Sequence, residues 1–198
     1  QEMAICGFRT REGEKPEDAL RRATVFVHAL ALQDPPVAST CALMHWLAGS
    51  IMMVMDREDI PKFKGTVGDW LVVVGIEGTK DYVGYSKSVI EKIIKDQWDN
   101  IDEGREVYLM PKSMRDEFRA PSRIFRWFRL GNYYALAWWG ALNKTIDYYF
   151  EALKVWQELD LTEELSMVLM PGFPYNGQCS YYEYESFWDS TNSEMTEK

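Results

Sequence analysis

The chain has 198 residues, 46% of them hydrophobic and 27% charged, with a formal net charge of −9. That is enough polypeptide for one good core or two small ones, and too apolar for wholesale disorder. A uniformly acidic surface repels nucleic acid and anionic membranes, so either partner would need a local basic exception.

Residues 1–15 are polar, contain Gly7 and Gly13, and read as an N-terminal arm. Pro16 suits the first turn of a helix, and Glu17 and Asp18 follow where the helix dipole favours acids. Leu20, Ala23, Val27 and Leu30 then share one face, so a helix is expected to about Leu32, ended by Asp34-Pro35-Pro36. Residues 37–55 carry no formal charge over 19 positions, the length of a membrane span. Ser39, Thr40, His45, Gly49 and Ser50 interrupt the run and no basic cluster flanks it, which predicts a buried core helix.

Residues 56–68 have loop composition. Trp70 to Ile76 is short and β-branched and reads as a buried strand. A turn at Gly78 to Asp81 and a return over Tyr82 to Tyr85 would make a small β-hairpin near residues 70–85. Ser86 or Ser88 caps an expected helix over 88–100, with Ile90, Ile93, Ile94 and Trp98 inward. Glu106 to Met110 reads as extended, and short helices follow over 112–119 and from Pro121 to Trp139. Ile146, Tyr149, Phe150, Leu153 and Trp156 recur at helical spacing after Asn143 or Thr145. A further helical segment is expected before Pro171. Residues 176–198 read as an aromatic and acidic C-terminal arm with a disordered end. The expected fold is therefore α+β and predominantly α-helical: a single compact domain over 1–175 with a small hairpin, no internal repeat, and an arm.

Chemical motifs are sparse. Gly75 to Lys80 has the wrong glycine spacing for a phosphate loop and no Ser or Thr after the lysine. Gly65-Thr-Val-Gly68 matches a nucleotide clamp, but a strand follows it where a helix is needed. Cys41 and His45, four apart, share a face of the expected helix 37–55 but lack a second ligand pair, so no metal, cofactor or catalytic residue is assigned. The acid pairs Asp102/Glu103 and Glu163/Glu164 sit where helix starts place them. Cys6, Cys41 and Cys179 are odd in number, with no Cys-x-x-Cys. They read as reduced, buried thiols, and with no visible secretory leader the expected location is intracellular, cytoplasmic or nuclear.

One segment carries chemistry. Residues 112–129 hold Lys112, Arg115, Arg119, Arg123, Arg126 and Arg129 against Asp116 and Glu117, which is +4 inside a chain of −9. Arg123, Arg126 and Arg129 fall on one helical arc, and guanidinium groups fork onto phosphate oxygens. Lys62 and Lys64 would line the other side of a groove. In the tail, Tyr181, Tyr182, Tyr184, Phe187 and Trp188 would form a self-association arm. These features predict a non-enzymatic structural protein that binds single-stranded nucleic acid and forms homo-oligomers, in the manner of a nucleocapsid or coat subunit. Two alternatives remain open: a protein-interaction or scaffold module using the arginine stripe and tail, and an enzyme acting on an anionic substrate.

Overall fold

The computed structural model describes residues 2–54, 57–97, 108–109, 132–160, 166–171, 179–188 and 191–197. Its elements in chain order are β1 (Glu2–Phe8), α1 (Pro16–Ala31), β2 (Thr40–His45), α2 (Trp46–Met53), a 3-10 turn (Arg57–Asp59), α3 (Ile60–Val67), β3 (Trp70–Ile76) and α4 (Lys80–Asp96). Then come β4 (Tyr108–Leu109), β5 (Asn132–Ala141), a 3-10 turn (Leu142–Lys144), α5 (Thr145–Glu158), β6 (Ser166–Pro171), β7 (Cys179–Trp188) and α6 (Ser193–Glu197). The seven strands form one sheet in the order β4-β1-β3-β2-β6-β7-β5, and every neighbouring pair is antiparallel. The predominantly helical fold is thus corrected: a large sheet is the frame, and helices cover it.

Each departure from the sequence reading has a physical cause. The run 37–55 is not one helix but β2 followed by α2. A strand buried on both faces and a buried helix are equally uniform in hydropathy, so periodicity cannot separate them. β1 (Glu2–Phe8) lies in the segment read as an arm; it runs between β3 and β4, and its Ile5, Cys6 and Phe8 are buried. The 70–85 hairpin does not form. β3 is present, but its partners are β1 and β2, and Tyr82–Tyr85 lie in α4. The Thr79 hydroxyl accepts the Tyr82 amide at 3.3 Å, which starts α4 where the return strand was expected. Residues 60–67, read as loop, are α3. The helices expected over 112–119 and from Pro121 lie outside the described residues up to 131; Asn132–Ala141 is strand, as its aromatic content favours. The segment before Pro171 is β6 rather than helix. The C-terminal arm is also corrected, because ten of its residues are the interior strand β7, with Tyr182 and Phe187 fully buried.

Two layers cover the sheet. On one face α1, α4 and α5 pack Leu20, Phe26, Leu30, Ile90, Ile94 and Tyr149 against Phe8, Leu43, Val72, Leu169 and Tyr182. On the other face α2 and α3 set Ala48 and Val67 over Ala42, Met44, Leu71, Val73 and Val168, and Leu47, Ile51 and Ile60 over Phe187. Each aliphatic side chain buried this way contributes about 1.5–3 kcal/mol. The connection from β1 to α1 is held by buried Arg22, whose Nη1 donates to Glu14 Oε1 at 2.5 Å and whose Nη2 donates to the Arg9 carbonyl at 2.5 Å. That guanidinium also holds the Glu14 carboxyl below its ordinary range.

Gly68 closes α3 onto β1 at φ +87°, and a Cβ there would stand 2.7 Å from the Phe8 carbonyl oxygen, a backbone atom that cannot swing aside. Gly68→Ala is expected to destabilise the protein by about 1–3 kcal/mol through left-handed strain and the clash. Urea denaturation checks this; a midpoint equal to that of the parent would show that the turn is not formed as described.

Candidate functional site

The α2–α3 layer covers only part of its face. Counting along β5, β6 and β7 with period two, the side chains on that face are Ala135, Ala137 and Trp139; Ser166, Val168 and Met170; and Tyr181, Glu183, Glu185 and Phe187. The pairing register sets them in rows: Trp139–Tyr181–Met170, Ala137–Glu183–Val168 and Ala135–Glu185–Ser166. The first row is open to solvent, with Trp139 64% exposed and Met170 40%. The Trp139 and Tyr181 rings meet edge to face, centroids 5.8 Å apart. The Tyr181 hydroxyl donates to Glu183 Oε2 at 3.0 Å. Two small residues of β5, Ala135 and Ala137, leave room beside the carboxylates.

Glu185 is the chemically distinctive group. It is 1% exposed, and Ser166 Oγ donates to its Oε2 at 2.8 Å. Burial raises its pKa from the ordinary 4.5 to about 8; the Ser166 hydrogen bond pulls the other way, and the neighbouring Glu183 adds to the rise. At neutral pH Glu185 is therefore largely protonated and can donate a hydrogen bond; the Ala137–Glu183–Val168 row separates it from the Trp139–Tyr181–Met170 row. A face of this composition can seat a planar, partly apolar molecule and hold a proton further along β7.

A separate cavity of about 360 Å³ opens between the start of α1 and α5, lined by Thr10, Pro16, His45, Lys64, Asp69, Trp70, Tyr149, Phe150 and Leu153. Its polar side is built into the fold. Asp69 accepts the Thr10 amide at 2.7 Å and lies 4.0 Å from Lys64 Nζ, which also sits over the Trp46 ring at 4.8 Å. His45 is buried between Trp46 and Trp70, with ring centroids at 5.8 and 5.1 Å.

Lys112, Arg115, Arg119, Arg123, Arg126 and Arg129 lie outside the described residues. Lys62 is tied to Asp59 by a 2.6 Å ion pair, and Lys64 sits at the cavity rim. Tyr182 and Tyr184 point to the helix side of β7, where Trp138 stacks on Tyr182 at 5.3 Å. Burial pushes the Tyr182 hydroxyl up to about 12. Tyr181 and Phe187 point to the opposite side, so these rings are shared between the two faces of the sheet. Cys41 and His45 share a face, but of a strand rather than a helix. Cys6 and Cys41 are buried free thiols, and burial pushes the Cys6 pKa up to about 12. Among the described residues no group of three His, Cys, Asp or Glu is placed to hold a metal ion, and no helix is long and apolar enough to cross a membrane. Sequence reasoning missed Ser166, Glu183 and Glu185. The signal was present in residues 181–187, where period-two spacing puts Glu183 and Glu185 on one face with Tyr181 and Phe187, and Tyr182 and Tyr184 on the other.

Neither a family model nor a curated protein matches the sequence. Solved structures do match in fold. The chain is similar to 4-ethylphenol oxidase from Gulosibacter chungangensis in complex with isoeugenol (TM-score 0.66, 11% identity, 98% of this chain and 40% of that one). It is also similar to p-cresol methylhydroxylase with substrate bound (TM-score 0.65, 11% identity, 99% and 40%). An alkyldihydroxyacetonephosphate synthase matches at TM-score 0.58 and 13% identity, over 99% of this chain and 38% of that one. The class defined is an antiparallel α+β domain of the kind found within these enzymes, and the chain spans about two-fifths of their length. This overturns the reading as a nucleic-acid-binding structural protein of coat type, because the fold neighbours are enzymes.

The Glu185 titration has a sign that can be checked. Its folded pKa lies above 4.5, so its favourable contribution is complete below that pH and is lost progressively as pH rises toward about 8. Glu185→Gln keeps the acceptor for Ser166 and removes the proton. The variant is expected to match the parent near pH 4.5 and to exceed it in stability at pH 8, by an amount on the order of a few kcal/mol. Parallel stability–pH curves for the two proteins would show that Glu185 is not held neutral.

Proposed function

We propose that this chain is the substrate-side domain of a larger oxidoreductase, and that the open face of β5, β7 and β6 forms one wall of a cavity for a small aromatic, phenol-like substrate. The observation that carries the reading is the exposed row Trp139–Tyr181–Met170, from which Glu183 leads along β7 to the buried carboxyl of Glu185. Aromatic rings stack on such a strip, and Glu183 in the next row can accept a hydrogen bond from a phenolic hydroxyl, with neutral Glu185 one row further in. Two of the fold neighbours are named for phenols, the 4-ethylphenol oxidase in its isoeugenol complex and p-cresol methylhydroxylase. The synthase has the same fold, so the aromatic lining favours the phenol reading over the fold itself.

The same reading places the redox group on the remainder of the enzyme. One common dinucleotide seat is built on a parallel βαβ unit with a glycine-rich turn at a helix N-terminus. The sheet described here is antiparallel throughout, and among the described residues no such turn occurs. In this division of labour the chain orients the substrate, excludes water from one side and manages the phenolic proton. Electron transfer happens at the partner surface it faces.

Trp139→Ala tests this in the complete enzyme with 4-ethylphenol as the probe. Loss of one ring contact worth about 0.5–1.5 kcal/mol should raise KM roughly 2- to 13-fold. An unchanged KM and kcat, with parental stability, would remove this face from the substrate cavity.

A further inference from the structure

The sheet consists of two versions of one pattern. In the first half β1, α1, β2, β3, α4 and β4 give the order β4-β1-β3-β2, the split βαβ arrangement. In the second half β5, α5, β6 and β7 give β5-β7-β6. Setting β5 on β1, α5 on α1, β6 on β2 and β7 on β3 matches every strand and its neighbour. The match extends one element further: α6 follows β7 about as closely as α4 follows β3.

One position in the second half is unfilled among the described residues. β4 flanks β1, with Ile5 opposite Tyr108 and Ala4 opposite Leu109. Among the described strands, the equivalent flank of β5 is the outer edge of the sheet. That edge is ten residues long, and Tyr134 and Leu136, 59% and 53% exposed, face the helix-covered side. A long, apolar edge strand is a template for another strand, which natural proteins normally cover or blunt.

We propose that β5 accepts one more antiparallel strand, the counterpart of β4, led in by a helix that starts at Ser193–Glu197 and covers Tyr134 and Leu136. The strand and the rest of the helix come from polypeptide of the same larger enzyme. The inference rests on the reading above only for that source; the open edge is read among the described residues of this chain. Strand addition would satisfy the outward amides of β5 and bury the two side chains that the first half has no equivalent reason to expose.

The experiment is residue-resolved amide hydrogen exchange over 132–141, compared between the 198-residue chain and the complete enzyme. In the short chain every second amide of β5 should exchange freely. In the complete enzyme those same amides should slow by about 100-fold. Leu136→Lys should accordingly leave the midpoint of the short chain near the parental value and lower that of the complete enzyme. Outward amides that exchange equally fast in both proteins would overturn the proposal. So would protection in the short chain, with the edge filled by a second copy if the mass is doubled and by another segment of the same chain if it is not. The readout needs no turnover, so a silent Trp139→Ala with a protected β5 would sink the substrate wall and leave the strand standing, and the reverse result would do the opposite.

Discussion

Leu43 and Met44 of β2 lie opposite Leu169 and Val168 of β6, and across this antiparallel seam the two half-sheets become one. The four side chains alternate between the helix layer of α1, α4 and α5 and the layer of α2 and α3. Both hydrophobic layers are therefore continuous only if the seam is closed. β5 and β7 are placed by it in turn, because β7 pairs with β6 and β5 pairs only with β7 among the described strands. The exposed Trp139 strip and the buried Glu185 owe their positions to contacts made some distance away.

The same seam explains why the candidate site lies on one half and one face. Between β2 and β3 the chain makes α2 and α3, which cover the first half of that face. Their reach extends to Phe187 through Leu47, Ile51 and Ile60 and does not include the Trp139 row. The result is a gradient along β7. Phe187 is packed, Glu185 is buried beside Ser166, Glu183 is half-buried, and Tyr181 is in contact with the exposed Trp139. A carboxyl at the dry end of such a gradient keeps its proton at neutral pH, while the rings at the wet end stay accessible.

Part of this was legible in the sequence. α1 was announced by Pro16 and its 3.6-residue period, α5 by Ile146 through Trp156, and β3 by its β-branched run. β4 also falls inside the stretch Glu106–Met110 read as extended, while β1, β2 and β7 were hidden for two different reasons. β1 and β2 are buried on both faces, so they lack alternation, and β2 runs without a polar break into α2. β7 does alternate, but its aromatic and acidic residues resemble a solvated tail until β5 and β6 are placed on either side of it. Those partners are nonlocal, and no spacing within residues 179–188 encodes them. The duplicated pattern was likewise invisible, since it is a repeat of topology rather than of residues.

The central claim is the closed seam between the halves, and the most direct test is nuclear Overhauser contact between β2 and β6. Cross-strand contacts linking Leu43 to Leu169 and Met44 to Val168, together with a single cooperative unfolding transition, are the expected result. Absence of those contacts, or two separate transitions for the two halves, would contradict the account and with it the placement of the site.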